Sequence, residues 1–291
     1  ITQAQVINLT GADNAFGNLT ITNTNASATN SASALTVTDL ADNNMTATNV
    51  TISGGAGGAT AAKISGLLTV AEASGTVAVS GTYLIQGGTA GIEASNAEVG
   101  GAGGAITLTQ HTGAISGGTF TVRGGVGGTS THTGGTGGLG GAATVSDIDG
   151  AISSTTINYI AGAGGNGTAS GGLGGVGGQF NVAAQSGAIT ATTFNITGGA
   201  GGNGIDNGGA TSDGANGGAF GGTDVISSAI GTSSAATALN ISGGDAGTAG
   251  NASSALAGAA GNGGAVGTLT FNTGAVHANV TVRGGAGSDR K

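Results

Sequence analysis

The chain contains no proline, no cysteine and no tryptophan, and only five of its 291 residues are Lys or Arg. Each absence removes a class of protein. Without Cys there is no disulfide framework and no thiolate metal site, a state compatible with an oxidising exterior. Five cations in a chain of net charge −8 cannot neutralise a phosphate track, which excludes nucleic acid as a partner. No apolar run approaches the roughly 18 residues that a membrane-spanning helix needs, so membrane insertion is not expected. Leu, Ile, Val and Phe are too sparse for an ordinary globular core, and such poverty usually means disorder. Disordered chains, however, are rich in charge and Pro, whereas here 6% of residues are charged and mean hydropathy is +0.22. The first residue, Ile1, suits a mature chain from which a signal segment has been removed.

What is present is 67 Gly among Ala, Thr, Ser and Asn, arranged around a recurring phrase: an alternating strand that ends in a Gly pair. It reads Val50-Thr51-Ile52-Ser53-Gly54-Gly55, Tyr83-Leu84-Ile85-Gln86-Gly87-Gly88 and Phe120-Thr121-Val122-Arg123-Gly124-Gly125. It returns from Ile157, Phe194, Leu239 and Val280, and a degenerate first copy begins at Leu19. The eight starts are 31, 33, 37, 37, 37, 45 and 41 residues apart, the mark of a repeat architecture. A second strand recurs as Leu35-Thr36-Val37, Leu68-Thr69-Val70, Ile106-Thr107-Leu108, Ala143-Thr144-Val145, Phe180-Asn181-Val182 and Leu269-Thr270-Phe271, with Asp224-Val225-Ile226 as the best candidate in the Phe194 repeat. A third short element ends at Ile115, Ile152, Ile189 and Val276.

Alternation with period two puts Phe120 and Val122 on one face and Thr121 on the other. Stacked repeats then line Ile52, Ile85, Phe120, Val122, Ile157, Tyr159, Phe194, Ile196, Leu239, Ile241, Val280 and Val282 into one internal column. The outward Thr and Asn form ladders. The expected fold is all-β: a three-sided, right-handed parallel β-helix (β-solenoid) of about seven to eight coils, roughly 40 Å long at ~4.8 Å per coil. Helix is disfavoured because Gly costs about 1 kcal/mol at each helical position. Residues 1–18 read as an N-terminal strand segment able to reach a neighbouring subunit, and 19–291 as a single solenoid domain. The Gly-rich loops lie on one edge. Gly134–Gly141 and Gly171–Gly178 repeat every three residues, the period of polyproline or polyglycine II. In that geometry Leu139, Leu173 and Val176 share an edge and are expected to pack inward against the solenoid.

Some β-helices are polysaccharide lyases or hydrolases, whose sites need clustered carboxylates with basic and aromatic support. The densest acidic spot here is Asp147 and Asp149, which read as a turn pair rather than an acid–base couple. His111, His132 and His277 occupy unlike places in their repeats and read as surface residues. No enzymatic activity and no catalytic residue are expected. Of the ten Asn-x-Ser/Thr sequons, Asn195 and Asn240 fall at outward strand positions where surface glycans could attach.

At the C-terminal end, Gly284-Gly285-Ala286-Gly287-Ser288-Asp289 fits a Gly-Gly-x-Gly-x-Asp calcium nonapeptide, with Asp289 as the candidate ligand. With this ending, the Thr/Ala/Gly/Asn texture and the lack of Cys, the chain resembles bacterial S-layer and RTX-type surface proteins. It is also similar to the β-helix stalks of autotransporter adhesins. The resemblance implies secretion, a cell-surface location and self-association, with calcium as the one cofactor to consider. The favoured reading is an extracellular structural protein that joins copies of itself head to tail, through Val6, Ile7 and Leu9 at one end and Val280 and Val282 at the other. Two other readings stand beside it: an adhesin or receptor-binding module displaying its Gly-rich loops, and an ice-binding solenoid using its Thr ladders.

Overall fold

A computed structural model describes residues 5–8, 13–23, 32–38, 44–57, 65–71, 74–93, 99–205, 214–232, 237–249, 259, 261–272 and 274–288. These are all-β, with no helix among them. The strands in chain order are β1 (Gln5–Asn8), β2 (Asn14–Thr22), β3 (Leu35–Thr38), β4 (Met45–Ser53), β5 (Leu68–Val70), β6 (Val77–Gln86), β7 (Ile106–Leu108) and β8 (Ile115–Arg123). They continue as β9 (Ala143–Val145), β10 (Ile152–Ile160), β11 (Phe180–Val182), β12 (Ile189–Thr197), β13 (Phe220–Ile226), β14 (Thr237–Ser242), β15 (Val266–Phe271) and β16 (Ala278–Arg283). Odd-numbered strands form one eight-stranded sheet and even-numbered strands a second, each in sequence order and each parallel. The result is a β-solenoid-like stack in which each turn of chain adds one rung to both sheets.

The expected frame of three strands per repeat is corrected to two. Ile115, Ile152 and Ile189 are the first residues of β8, β10 and β12, and the strand runs on unbroken through Phe120, Ile157 and Phe194. The short polar link between them stays extended and paired, as with Ser153 opposite Ser116 and Thr190. The remaining corner is held only by single bridges, His111 to Ile148, Ile148 to Gln185 and Gln185 to Ile226.

The two sheets face each other across a narrow apolar core. Ile52, Ile85, Phe120, Val122, Ile157, Tyr159, Phe194, Ile196, Leu239 and Ile241 are buried as the alternation requires, opposite Leu35, Val70, Leu108, Val145 and Phe180. Bulk switches columns from rung to rung: Phe120 lies beside Val122, Ile157 beside Tyr159, Phe194 beside Ile196. Tyr159 thereby meets Phe120 and Phe194 edge-on at 6.2 and 5.1 Å and stacks at 5.3 Å on Phe180 of the facing sheet. Alternation of large and small residues lets a core poor in large side chains fill to native density.

The Gly-rich stretches form a second lattice. After each long strand the chain runs outward and then returns to the next short strand, giving an outgoing and a returning layer. Within a layer neighbouring runs bond directly, as Gly127 N donates to Ala163 O and Gly140 N to Val176 O. Between layers an unbroken staircase passes from Gly285 through Gly264, Gly244, Gly218, Gly199, Gly178, Gly162, Gly141, Gly125 and Gly104 to Gly88, each N–H donating to the next carbonyl at 2.7–2.9 Å. The spacing is too close for a side chain at most inner positions: a Cβ on Gly162 would stand 1.8 Å from the carbonyl oxygen of Gly125. The inner places that are not glycine, such as Ala90, Ala161 and Ala215, carry only a methyl group. The threefold period therefore turns its glycine pairs inward and its third residue out. The expectation that Leu139, Leu173 and Val176 pack inward is overturned, since Leu139 is 56% exposed, Val176 42% exposed and Leu173 only half-buried.

Two strands carry an extra residue: β6, between Val79 and Thr82 relative to its neighbours, and β13. Phe180 pairs with Phe220, which pairs with Val266, and an extra residue in β13 between Phe220 and Thr223 forms a bulge, with Gly221 at φ 42°. Asp224-Val225-Ile226 does pair with Leu269-Thr270-Phe271, as the repeat implied, but the strands begin earlier, at Phe220 and Val266.

Substitution separates the two positions of the glycine phrase. Gly162→Ala is expected to lower stability by about 2–3 kcal/mol through overpacking, while Ala200→Ser, on an exposed third position, should change it by less than about 0.5 kcal/mol. Thermal melts followed by circular dichroism measure both.

Candidate functional site

The two ends of the stack differ from its middle. At the C-terminal end Val280 pairs with Leu239 and Val282 with Ile241, both buried, yet Val280 is 47% and Val282 57% exposed. Phe271, opposite buried Ile226, and Val276, bridged to buried Ile230, are likewise exposed. Four inner positions of the last rung are thus uncovered, and the expectation that Val280 and Val282 are buried with the rest is corrected. Their pairing gives them the orientation of the buried column, and among the described residues no further rung covers them. At the N-terminal end Ile7, Phe16 and Leu19 are half-buried and Ile21 is buried. β1 pairs with β3 of its own chain, Val6 opposite Thr36 and Ile7 opposite Val37. Val6 therefore belongs to the outward ladder while Ile7 takes the inner place. Leu9 lies outside the described residues.

The outward face of the even-strand sheet carries an amide ladder. Asn240 Nδ2 donates to Asn195 Oδ1 at 3.0 Å, Asn195 Nδ2 to Asn158 Oδ1 at 2.9 Å, and Asn158 Nδ2 to Thr121 Oγ1 at 3.3 Å. The amides of both outward sequon residues are engaged in this ladder. Beside it runs a groove of about 270 Å³ lined by Ile160, Thr197, Ser242 and the outgoing glycine layer. Arg123 and Arg283, the two cations among the described residues, border it together with Asp245.

The titratable groups do not converge. Asp147 and Asp149 are exposed on a turn, Asp147 with φ 51°, and Asp149 accepts a short hydrogen bond from Ser186 Oγ. Among the described residues no three His, Cys, Asp or Glu side chains are grouped to hold a metal ion. Gly284, Gly285 and Gly287 continue the glycine lattice, Gly285 as the last step of the staircase, and Ser288 Oγ accepts from Gly261 N at 3.0 Å. Asp289 lies outside the described residues.

His277 is exposed and His132 half-buried, but His111 is fully buried, which corrects its reading as a surface residue. It takes the corner place that Ile148 and Ile226 fill in neighbouring repeats, and only its Nδ1 finds a partner, Gly113 O at 2.9 Å. Nε2 has none. Burial pulls its pKa down to about 4. Sequence reasoning missed this, although His111, Ile148, Gln185 and Ile226 recur at the repeat spacing. It also missed Asp224, which is buried beside the bulge, where its Oδ1 accepts from Val182 N and Oδ2 has no partner; desolvation raises its pKa.

No known protein family, no curated protein and no solved structure matches the chain.

Buried His111 makes stability depend on pH with a definite sign. Its folded pKa of about 4 lies below the unfolded value of about 6.5, so the unfolded chain binds the proton first. Its contribution is complete above about pH 6.5 and declines towards pH 4, by on the order of 3 kcal/mol. Asp224, shifted the other way, gains stability on acidification and opposes this slope. Comparing melts of the wild type and His111→Ile from pH 7 to 4 cancels the Asp224 contribution, and the variant should lose the acid-induced decline.

Proposed function

We propose that this chain is a non-enzymatic structural protein of the cell exterior, a parallel β-helix that stacks head to tail into a surface filament or layer. The observation that carries the reading is the uncovered last rung, where Phe271, Val276, Val280 and Val282 are inner residues exposed to solvent. A second copy presenting β1 and β2 to β15 and β16 would continue both sheets. Burying those four side chains contributes on the order of 5 kcal/mol, and the strand edges add backbone hydrogen bonds across the same junction. The contact is heterologous and does not close on itself, so it propagates as a filament. Such a junction uses apolar contact and backbone pairing alone and calls for no cofactor. The exterior location rests on composition, a Cys-free and weakly charged chain of Thr, Asn and Gly. Asp147 and Asp149 serve a turn in this reading, and no acid–base pair is assigned.

Val282→Lys places a charge in the proposed junction without disturbing a buried residue. Wild-type protein is expected to form filaments of constant width by negative-stain microscopy, and the variant to shorten or abolish them. Wild-type protein that sediments as a single 26.4 kDa species at high concentration would overturn the reading.

A further inference from the structure

We propose that two copies of this chain pair back to back through the outer face shared by the odd-strand sheet and the returning glycine layer, a contact separate from end-to-end stacking. The face is defined by its chemistry. Leu67, Val99, Leu139 and Val176 point outward from it and are between 42% and 56% exposed. Beside them the outward positions of the short strands are polar but neutral, as at Thr107, Thr144 and Asn181. Among the described residues of these rows no charged side chain faces out; Asp224, the one acid, is buried within the core. The exposed charges sit elsewhere, with Asp147 and Asp149 on a turn beyond β9 and Arg123, Asp245 and Arg283 around the opposite groove.

The occupant that fits is a second copy. Outward side chains recur every third residue along a run, separated by glycine pairs, so ridges alternate with furrows. Any partner surface must repeat at the rung spacing to engage several ridges together, and the same face of another copy does so by construction. A twofold axis lying in the plane of the contact makes it self-complementary, and short side chains can interdigitate into a dry seam. Pairing this way also keeps the acidic groups of two chains of net charge −8 apart, whereas an anionic lipid surface would repel them. Six residues of glycine run and three of strand span about 28 Å, and five rungs about 24 Å, so a pair buries roughly 1,300 Å² in total, within the range of specific interfaces.

Val282→Lys protein, in which stacking is blocked, isolates the pair for sedimentation equilibrium up to about 200 μM. The expected mass is twice 26.4 kDa. Adding Leu139→Lys and Val176→Lys should return it to 26.4 kDa, weakening pairing about 100-fold through opposed like charges. Adding Ala200→Lys, on the outgoing layer, should leave the pair intact. Circular dichroism melts confirm that the lysine variants stay folded. A strictly monomeric Val282→Lys chain overturns pairing, as does a dimer that survives the Leu139/Val176 change or is lost equally with Ala200→Lys. Flotation with neutral phosphatidylcholine vesicles in place of pairing also overturns it and assigns the face to lipid. Filaments persisting in Val282→Lys would instead overturn the stacking junction, and filament width with and without the Leu139/Val176 change would then read the pairing.

Discussion

The length of a backbone N–H···O=C bond sets the pitch of this molecule twice over. It spaces the parallel strands of both sheets, and it spaces the glycine runs that bond within and between their layers at 2.7–3.2 Å. Because both lattices are governed by one bond, a rung of sheet and a rung of glycine run advance together, and neither need stretch to follow the other. The sparse core follows from this. A chain with few large side chains can still fold when both glycine N–H groups of a triplet in its runs, as at Gly124, Gly125, Gly127 and Gly128, are satisfied by neighbouring runs. Loops that would otherwise be flexible linkers become a second ordered body.

Much of the fold could be read from the residues because period two is unambiguous when one face is apolar. Phe120/Val122 and Phe194/Ile196 could point only inward, and the structure places them there. The glycine runs were harder for a physical reason. A threefold period says that Leu139, Val176 and their like share an edge, but not which edge faces in. That is decided by how closely the runs approach, a distance that admits glycine and, at a few inner places such as Ala90, Ala161 and Ala215, nothing larger than alanine. The β13 rung was obscured by its bulge, since one extra residue shifts the apolar register and hides Phe220 behind Asp224-Val225-Ile226. His111 was hidden differently, because a lone histidine in an aliphatic column becomes visible only after the corner positions are aligned. The exposure of Val280 and Val282 was not legible at all, as it depends on what lies beyond the rung and not on the rung itself.

Polar groups inside the core mark where the repeat has been interrupted without being broken. His111, Gln185 and Asp224 each stand in or beside a column of aliphatic residues, and each finds at least one partner: Gly113 O, the Tyr159 hydroxyl, and Val182 N. Buried polar atoms left over, such as His111 Nε2 and Asp224 Oδ2, weaken their own rungs, and Gln185 and Asp224 fall on adjacent ones, while Ile148 and Ile226 keep the corner column apolar at alternate steps. Stability in such a stack is a sum over neighbours, so a weak rung is tolerated locally.

The glycine phrase also governs how repeats of this kind can change in length. Within a run, adding or removing one residue would turn the large third-position side chains, such as Leu139, into a space that holds at most a methyl group, so lengthening by whole triplets is the change that preserves the lattice. At the outer tips, where an outgoing run gives way to a returning one, no such rule applies. The spacing from one long-strand phrase to the next stretches from 37 to 45 residues, and the returning lattice nevertheless resumes in step at Gly214 and Gly217. The register divides the extra length among three places, the outer tip, the β13 bulge and the link from Ile230 to Ala238, so the molecule can diversify at these margins while the body between them stays periodic.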